Sequence, residues 1–123
     1  MEGYEIENGI IESTMLGIED HGVMSAWLYL KFNGTGQGFG GYVLDTVGDK
    51  EKFTRAPSIA CGGFVAEVLK TVGVEKWEDV KGKHLRVRRK ESLGKIDAIG
   101  NIIKDIWFCP EEYFKEMKNN GRV

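Results

Sequence analysis

Arg86 and Arg88 stand two residues apart, a spacing that puts both guanidiniums on one face of a strand. A guanidinium is a planar fork of donors that matches phosphate oxygens. In the run 83–90, Leu85 and Val87 take the inward positions and leave His84, Arg86 and Arg88 outward. A solvated strand face gives the same pattern, so an anion clamp and an ordinary polar surface both stand. Arg55 offers a second cation. It precedes Pro57 and Ser58 at the mouth of an amphipathic run, where the free N–H groups of a helix start attract anions. Glycine spacing is the third feature: Gly36, Gly38 and Gly41 formally satisfy the dinucleotide fingerprint G-x-G-x-x-G. That fingerprint works only where the glycine turn opens a helix, and Tyr42-Val43-Leu44 reads as a strand instead. What is left is a glycine-rich hairpin, or a bare backbone that a nucleotide can approach closely. Trp27, Phe39, Trp77 and Trp107 are surfaces on which a base could stack, or core residues.

Other reactive side chains fall away. Cys61 lies on an apolar stripe and has no His or Asn partner at a suggestive spacing, so it reads as a small hydrophobe. Cys109 has no C-x-x-C companion, and no zinc or disulfide framework is expected. Ser13, Ser25, Ser58 and Ser92 lack a nucleophile elbow. His21, in Glu19-Asp20-His21-Gly22, reads as part of a turn. Paired catalytic carboxylates are not evident. The expectation is a binding protein without catalytic residues, metal or cofactor.

The elements that must position these residues follow from hydrophobic period. Residues 10–16 read as a strand stopped by Gly17, and 23–32 as the clearest strand, with Met24, Ala26, Leu28, Leu30 and Phe32 on one face. Its other face (Ser25, Trp27, Tyr29 and Lys31) is amphipathic and suggests cover by a partner or second subunit. Tyr42–Leu44 would be a third strand, followed by a polar connection over 46–55. Cys61, Phe64, Val65, Val68, Leu69 and Val72 form one helical stripe ended by Gly73. Trp77 sits in a short second helix, and 95–108 is extended with a bend near Gly100. Pro110 opens a last helix, acidic early and basic late. This order predicts α+β architecture: a mostly antiparallel sheet, helices inserted between strands, and a short C-terminal helix.

The 123 residues suit one domain, 1–123. The share of hydrophobic residues is 41% and of charged residues 29%, an ordinary globular balance. No apolar run reaches the roughly 18 residues of a membrane span, and the acidic start is unlike a signal peptide, so a cytoplasmic protein is expected. Glycine is over-represented, 17 of 123 against a usual share of roughly 7%. The net charge of -2 conceals acids in 1–20 and bases in 81–95, which permits a local anionic partner but not coating by DNA or RNA.

Four blocks together carry a resemblance: Ile11-Glu12-Ser13-Thr14-Met15-Leu16-Gly17-x-Glu19-Asp20-His21-Gly22; Gln37-Gly38-Phe39-Gly40-Gly41-Tyr42; Val68-Leu69-Lys70-Thr71-Val72-Gly73-Val74-Glu75-x-Trp77-Glu78-Asp79; and Ile99-Gly100-x-Ile102-Ile103-Lys104-Asp105-x-Trp107-Phe108. In this order they resemble a family of small phage proteins, that of the first-described Thoeris anti-defence sponge. The resemblance implies a protein of the host bacterial cytoplasm that sequesters, intact, the cyclic ADP-ribose isomer made by bacterial TIR enzymes. It also implies homo-oligomers with ligand pockets between subunits, and for some members cyclic trinucleotides as further ligands. On residue chemistry, Gly36, Gln37, Gly38 and Phe39 with Arg55 and Ser58 would then serve one phosphorylated ligand. Arg86, Arg88, Asn101 and Trp107 would form another pocket. Trp27 and Tyr29 would be subunit contacts. The alternative expectation is a phage protein that acts by direct contact with a host defence factor.

Overall fold

The computed structural model describes residues 3–19, 22–92 and 94–120. Along the chain run β1 (Glu5–Ile18), β2 (Met24–Lys31), β3 (Gly36–Gly40), β4 (Asp45–Val47), β5 (Arg55–Pro57), α1 (Ile59–Val72), β6 (His84–Arg89), β7 (Ile96–Asn101), β8 (Trp107–Phe108) and α2 (Pro110–Asn119). The fold is α+β, as expected. Six antiparallel strands form a sheet in the order β3-β2-β1-β6-β7-β8, and β4 pairs with β5 in a small second sheet. None of the helices in the described residues is long and apolar enough to cross a membrane.

Cross-strand partners share a face, so the registers divide the sheet into two sides. Ile11, Ala26, Leu28, Leu30, Phe39, Leu85, Val87, Ile99 and Phe108 are all buried on the inner side. Both helices cover it. Phe64 of α1 lies 6.2 Å from the Phe39 ring and 5.4 Å from that of Phe108, and Phe114 of α2 stacks on Phe64 at 6.5 Å. Ser58 caps α1 by accepting the Ala60 N–H at 3.1 Å, and Gly73 ends it with φ +91°. The outer side carries Trp27, Tyr29, Asn8, Ile10, His84, Arg86 and Arg88.

Four expectations need correction. Gly17 does not stop β1, which continues to Ile18 opposite Met24. The third strand is Gly36–Gly40 itself, and Tyr42–Leu44 is not a strand. Gly40 and Gly41 take φ +129° and +76°, which turn the chain out of the ladder and drive Tyr42 and Leu44 toward the inner core. The backbone bared by these glycines is approached by Trp27 of the same chain: a Cβ at Gly38 would stand 3.0 Å from the indole. Residues 95–108 reverse rather than bend. Asn101 Oδ1 accepts the N–H groups of Ile103 and Lys104, at 3.0 and 2.8 Å, and turns the chain into β8. Gly100 stays in its strand because the Trp107 ring lies against it, 2.7 Å from where a Cβ would stand. The turn expected at Glu19-Asp20-His21-Gly22 includes Asp20 and His21, which lie outside the described residues.

Gly40→Ala should cost about 2 kcal/mol or more in urea unfolding, since its Cβ would collide with the Ala26 carbonyl at a positive φ. Gly17→Ala meets nothing within 4 Å and should change stability by less than about 1 kcal/mol. Equal losses in the two variants would refute this account of β3.

Candidate functional site

His84, Arg86 and Arg88 do project outward from β6, about 7 Å apart along the strand. Arg86 sits in a row that crosses four strands: Asn8 on β1, Arg86, Gly100 on β7 and Trp107 on β8. Because Gly100 has no side chain, Trp107 can lie over the gap, and the Arg86 guanidinium stacks on its ring at 4.7 Å. Arg86 Nε donates to the Asn101 carbonyl at 2.7 Å, and Nη2 to the Lys104 carbonyl at 2.8 Å. Nη1 makes no hydrogen bond among the described residues, so part of the fork remains available to an anion. The structure therefore brings together Arg86, Asn101 and Trp107. Asn101 serves as a positioning residue: besides forming the turn, its Nδ2 donates to the Thr71 carbonyl of α1 at 2.9 Å.

Arg88 has a different setting. Its Nε and Nη2 form a fork on Asp97, at 3.0 and 2.7 Å, and its guanidinium lies 4.3 Å from the Tyr4 ring. The β6–β7 register shifts between Arg88 and Arg89, and this bulge carries Asp97 alongside Arg88. The pair is largely shielded, with side-chain exposures of 12% and 10%. The carboxylate raises the Arg88 pKa further above its ordinary value.

Arg89, which the sequence reading left out, is buried at 4% exposure. Nε and Nη2 both donate to Gln37 Oε1 on β3, at 3.0 and 2.8 Å. Nη1 reaches Glu5 and Glu7 on β1, at 3.2 and 3.0 Å, and the Phe32 ring lies 4.9 Å from the guanidinium. Gln37 Nε2 donates to the Gly94 carbonyl at 3.0 Å. Gly36 and Gln37 thus line a cleft of about 540 Å³ whose cation is already matched by two carboxylates. The inward parity of Arg89 with Leu85 and Val87 was the signal that could have found it.

Arg55 and Ser58 lie elsewhere. They line a largely apolar cleft of about 300 Å³ with Met24, Leu44, Asp45 and Cys61. Gly36 pairs with Lys31 at one end of β2, whereas Asp45 accepts the Met24 N–H at the other, about 20 Å away. The structure does not join Arg55 to the glycine segment. The Arg55 guanidinium donates to Asp45 at 2.6 Å, which lowers the Asp45 pKa and raises that of Arg55. Burial pushes the Cys61 thiol up, away from nucleophilic use. Phe39 is 1% exposed within the inner aromatic cluster, where no ligand can stack on it without opening the core. Trp77 donates from Nε1 to Thr14 at 3.2 Å. No group of three His, Cys, Asp or Glu among the described residues is arranged to hold a metal ion.

In comparisons with known proteins, no family model, curated protein or solved structure matches the chain.

Arg88→Met should leave Asp97 as an unpaired carboxylate and cost about 3 kcal/mol in urea unfolding, with Arg88→Met/Asp97→Leu recovering much of the loss. Full stability of the single variant would show that the pair is not structural. Tyr42 supplies a second test. Burial, then the Glu111 charge, pushes its phenol from 10.0 up to about 12, and its hydroxyl is buried without a partner among the described residues. A raised pKa means that the folded state holds its proton longer, so stability present below pH 10 should fall as pH rises toward 12. Alkaline ultraviolet titration should show one late phenol, absent in Tyr42→Phe.

Proposed function

We propose that this protein is a phage anti-defence protein that binds and holds, uncleaved, a cyclic ADP-ribose isomer made by bacterial TIR enzymes. The observation that carries the reading is the Arg86–Trp107 pair on the outer face, where a guanidinium with a free edge meets an aromatic surface. Pyrophosphate suits the free edge, and an adenine ring can stack on the guanidinium plane that the indole backs. The resemblance to the Thoeris anti-defence sponge family supplies the ligand's identity and the expectation that it is released intact.

Affinity argues for a shared pocket. A sponge that outcompetes an effector needs nanomolar binding, about -12 kcal/mol. One charge-assisted hydrogen bond contributes about 1.5–3 kcal/mol, and one stacked base about 1–3. A single Arg86–Trp107 site falls short of the total, so a second copy of the chain completes it. The stack of half-buried Trp27 on exposed Tyr29, rings 6.0 Å apart and 9° from parallel, suits that contact. Cyclic trinucleotides are the second ligand class to examine.

The direct test is depletion of cyclic ADP-ribose isomers and cyclic trinucleotides from solution by purified protein, followed by heat denaturation and mass spectrometry. Depletion with intact recovery is expected for a cyclic ADP-ribose isomer, and Arg86→Gln should weaken uptake by about tenfold or more while the fold survives. A new product would make the protein an enzyme. No depletion would favour the second reading, in which the Trp27–Tyr29 surface contacts a host defence factor.

A further inference from the structure

The cations on the outer face differ in how much of their bonding is already used. Arg88 is engaged by Asp97, and Arg86 by two carbonyls and an indole. The side chains of Lys31, Lys81 and His84 have no ion pair or hydrogen bond among the described residues, and they are all exposed around one cleft. Two of them are fixed by the sheet register. Lys31 of β2 stands directly opposite Ile10 of β1, and Ile10 directly opposite His84 of β6. Cross-strand partners project to the same side, so Lys31, Ile10 and His84 form a row with the cations about 10 Å apart across an apolar centre.

The segment that precedes β6 brings the third cation. Gly82 N–H donates to the Ile11 carbonyl at 2.7 Å, and Ile11 N–H to the Lys83 carbonyl at 2.9 Å, which holds residues 81–83 against β1. Beyond Ile11 the β1–β2 register shifts, and Glu12 is left without a partner on β2 beside the 81–83 segment. The resulting cleft has a volume of about 660 Å³, with Ile10, Ile11 and Phe32 as its apolar lining and the amides of Asn8 and Asn33 on its rim. That volume lies in the range of small-molecule sites. Two ammoniums and an imidazole face one carboxylate, Glu12.

We propose that this cleft is a second anion site, separate from the Arg86–Trp107 pair, and that it takes a small molecule bearing a diphosphate. Its phosphoryl groups lie between Lys31 and His84, with Lys81 closing from the side. The amides of Asn8 and Asn33 bond the organic part, which rests on Ile10. Glu12 excludes ligands that place a second anionic group at that end.

Inorganic pyrophosphate is the probe, with amide chemical shifts of the full chain as readout. Shifts that saturate at 8–12, 31–33 and 81–84 are expected. Lys31→Ala/Lys81→Ala should weaken binding by up to about 25-fold, because each exposed charge contact contributes about 1 kcal/mol at most, near fivefold per lysine. Lys115→Ala/Lys118→Ala removes the same net charge from α2 and should leave the affinity unchanged. Equal weakening by both double variants would reduce the effect to general charge attraction and overturn the site. So would an absence of saturable shifts in those three segments. Neither result bears on cyclic ADP-ribose uptake, which is read separately through Arg86.

Discussion

Arg89 is the interaction on which the sheet's shape depends. A buried guanidinium is costly to desolvate unless its donors are matched. Here they are matched by groups far apart in the strand order: Glu5 and Glu7 on β1, and Gln37 on the edge strand β3. Arg89 lies on β6, two places from β2 and three from β3. Its bonds to Gln37, with the Gln37–Gly94 bond beside them, can form only if the sheet curls until β3 approaches the chain leading into β7. An electrostatic requirement at one residue thus becomes curvature over the four strands from β3 to β6.

Curvature separates the two faces by chemistry. The concave side is shielded by α1 and α2 and filled by Phe39, Phe64, Phe108 and Phe114. The other side holds His84, Arg86 and Arg88. Each of two tryptophans there lies on a neighbouring strand's glycine: Trp27 against Gly38, Trp107 against Gly100. A larger residue at either glycine would lift the ring off the sheet. The glycine excess in the composition is therefore, in part, the complement of these two large rings.

Alternation made much of this legible. The outward set His84, Arg86 and Arg88, the Ser58 cap, the Gly73 stop and the apolar face of β2 all follow from local period and local chemistry. The misreadings come from features that local rules miss. A run alternating glycine with Gln37 and Phe39 has little β-propensity of its own, and is a strand through its ladder to β2, with Trp27 lying on its bare backbone. Arg89 has the inward parity of Leu85 and Val87, but its burial depends on Glu5 and Glu7, more than eighty residues earlier in sequence. Arg55 and the glycine segment were grouped by shared affinity for phosphate, and the registers put them at opposite ends of β2.

The same registers bear on how Arg86 could recognise a ligand. A flexible arginine loses side-chain entropy of up to about 2 kcal/mol when a contact orders it. Arg86 is ordered before any ligand arrives, by the Asn101 and Lys104 carbonyls on one side and the Trp107 ring on another. The Asn101 amide, tied to Thr71 of α1, fixes the turn that supplies both carbonyls. Preorganisation of this kind lowers the ordering cost of binding without adding any contact. It also makes the position of Arg86 depend on Asn101 and Thr71, which hold the turn and lie off the outer face.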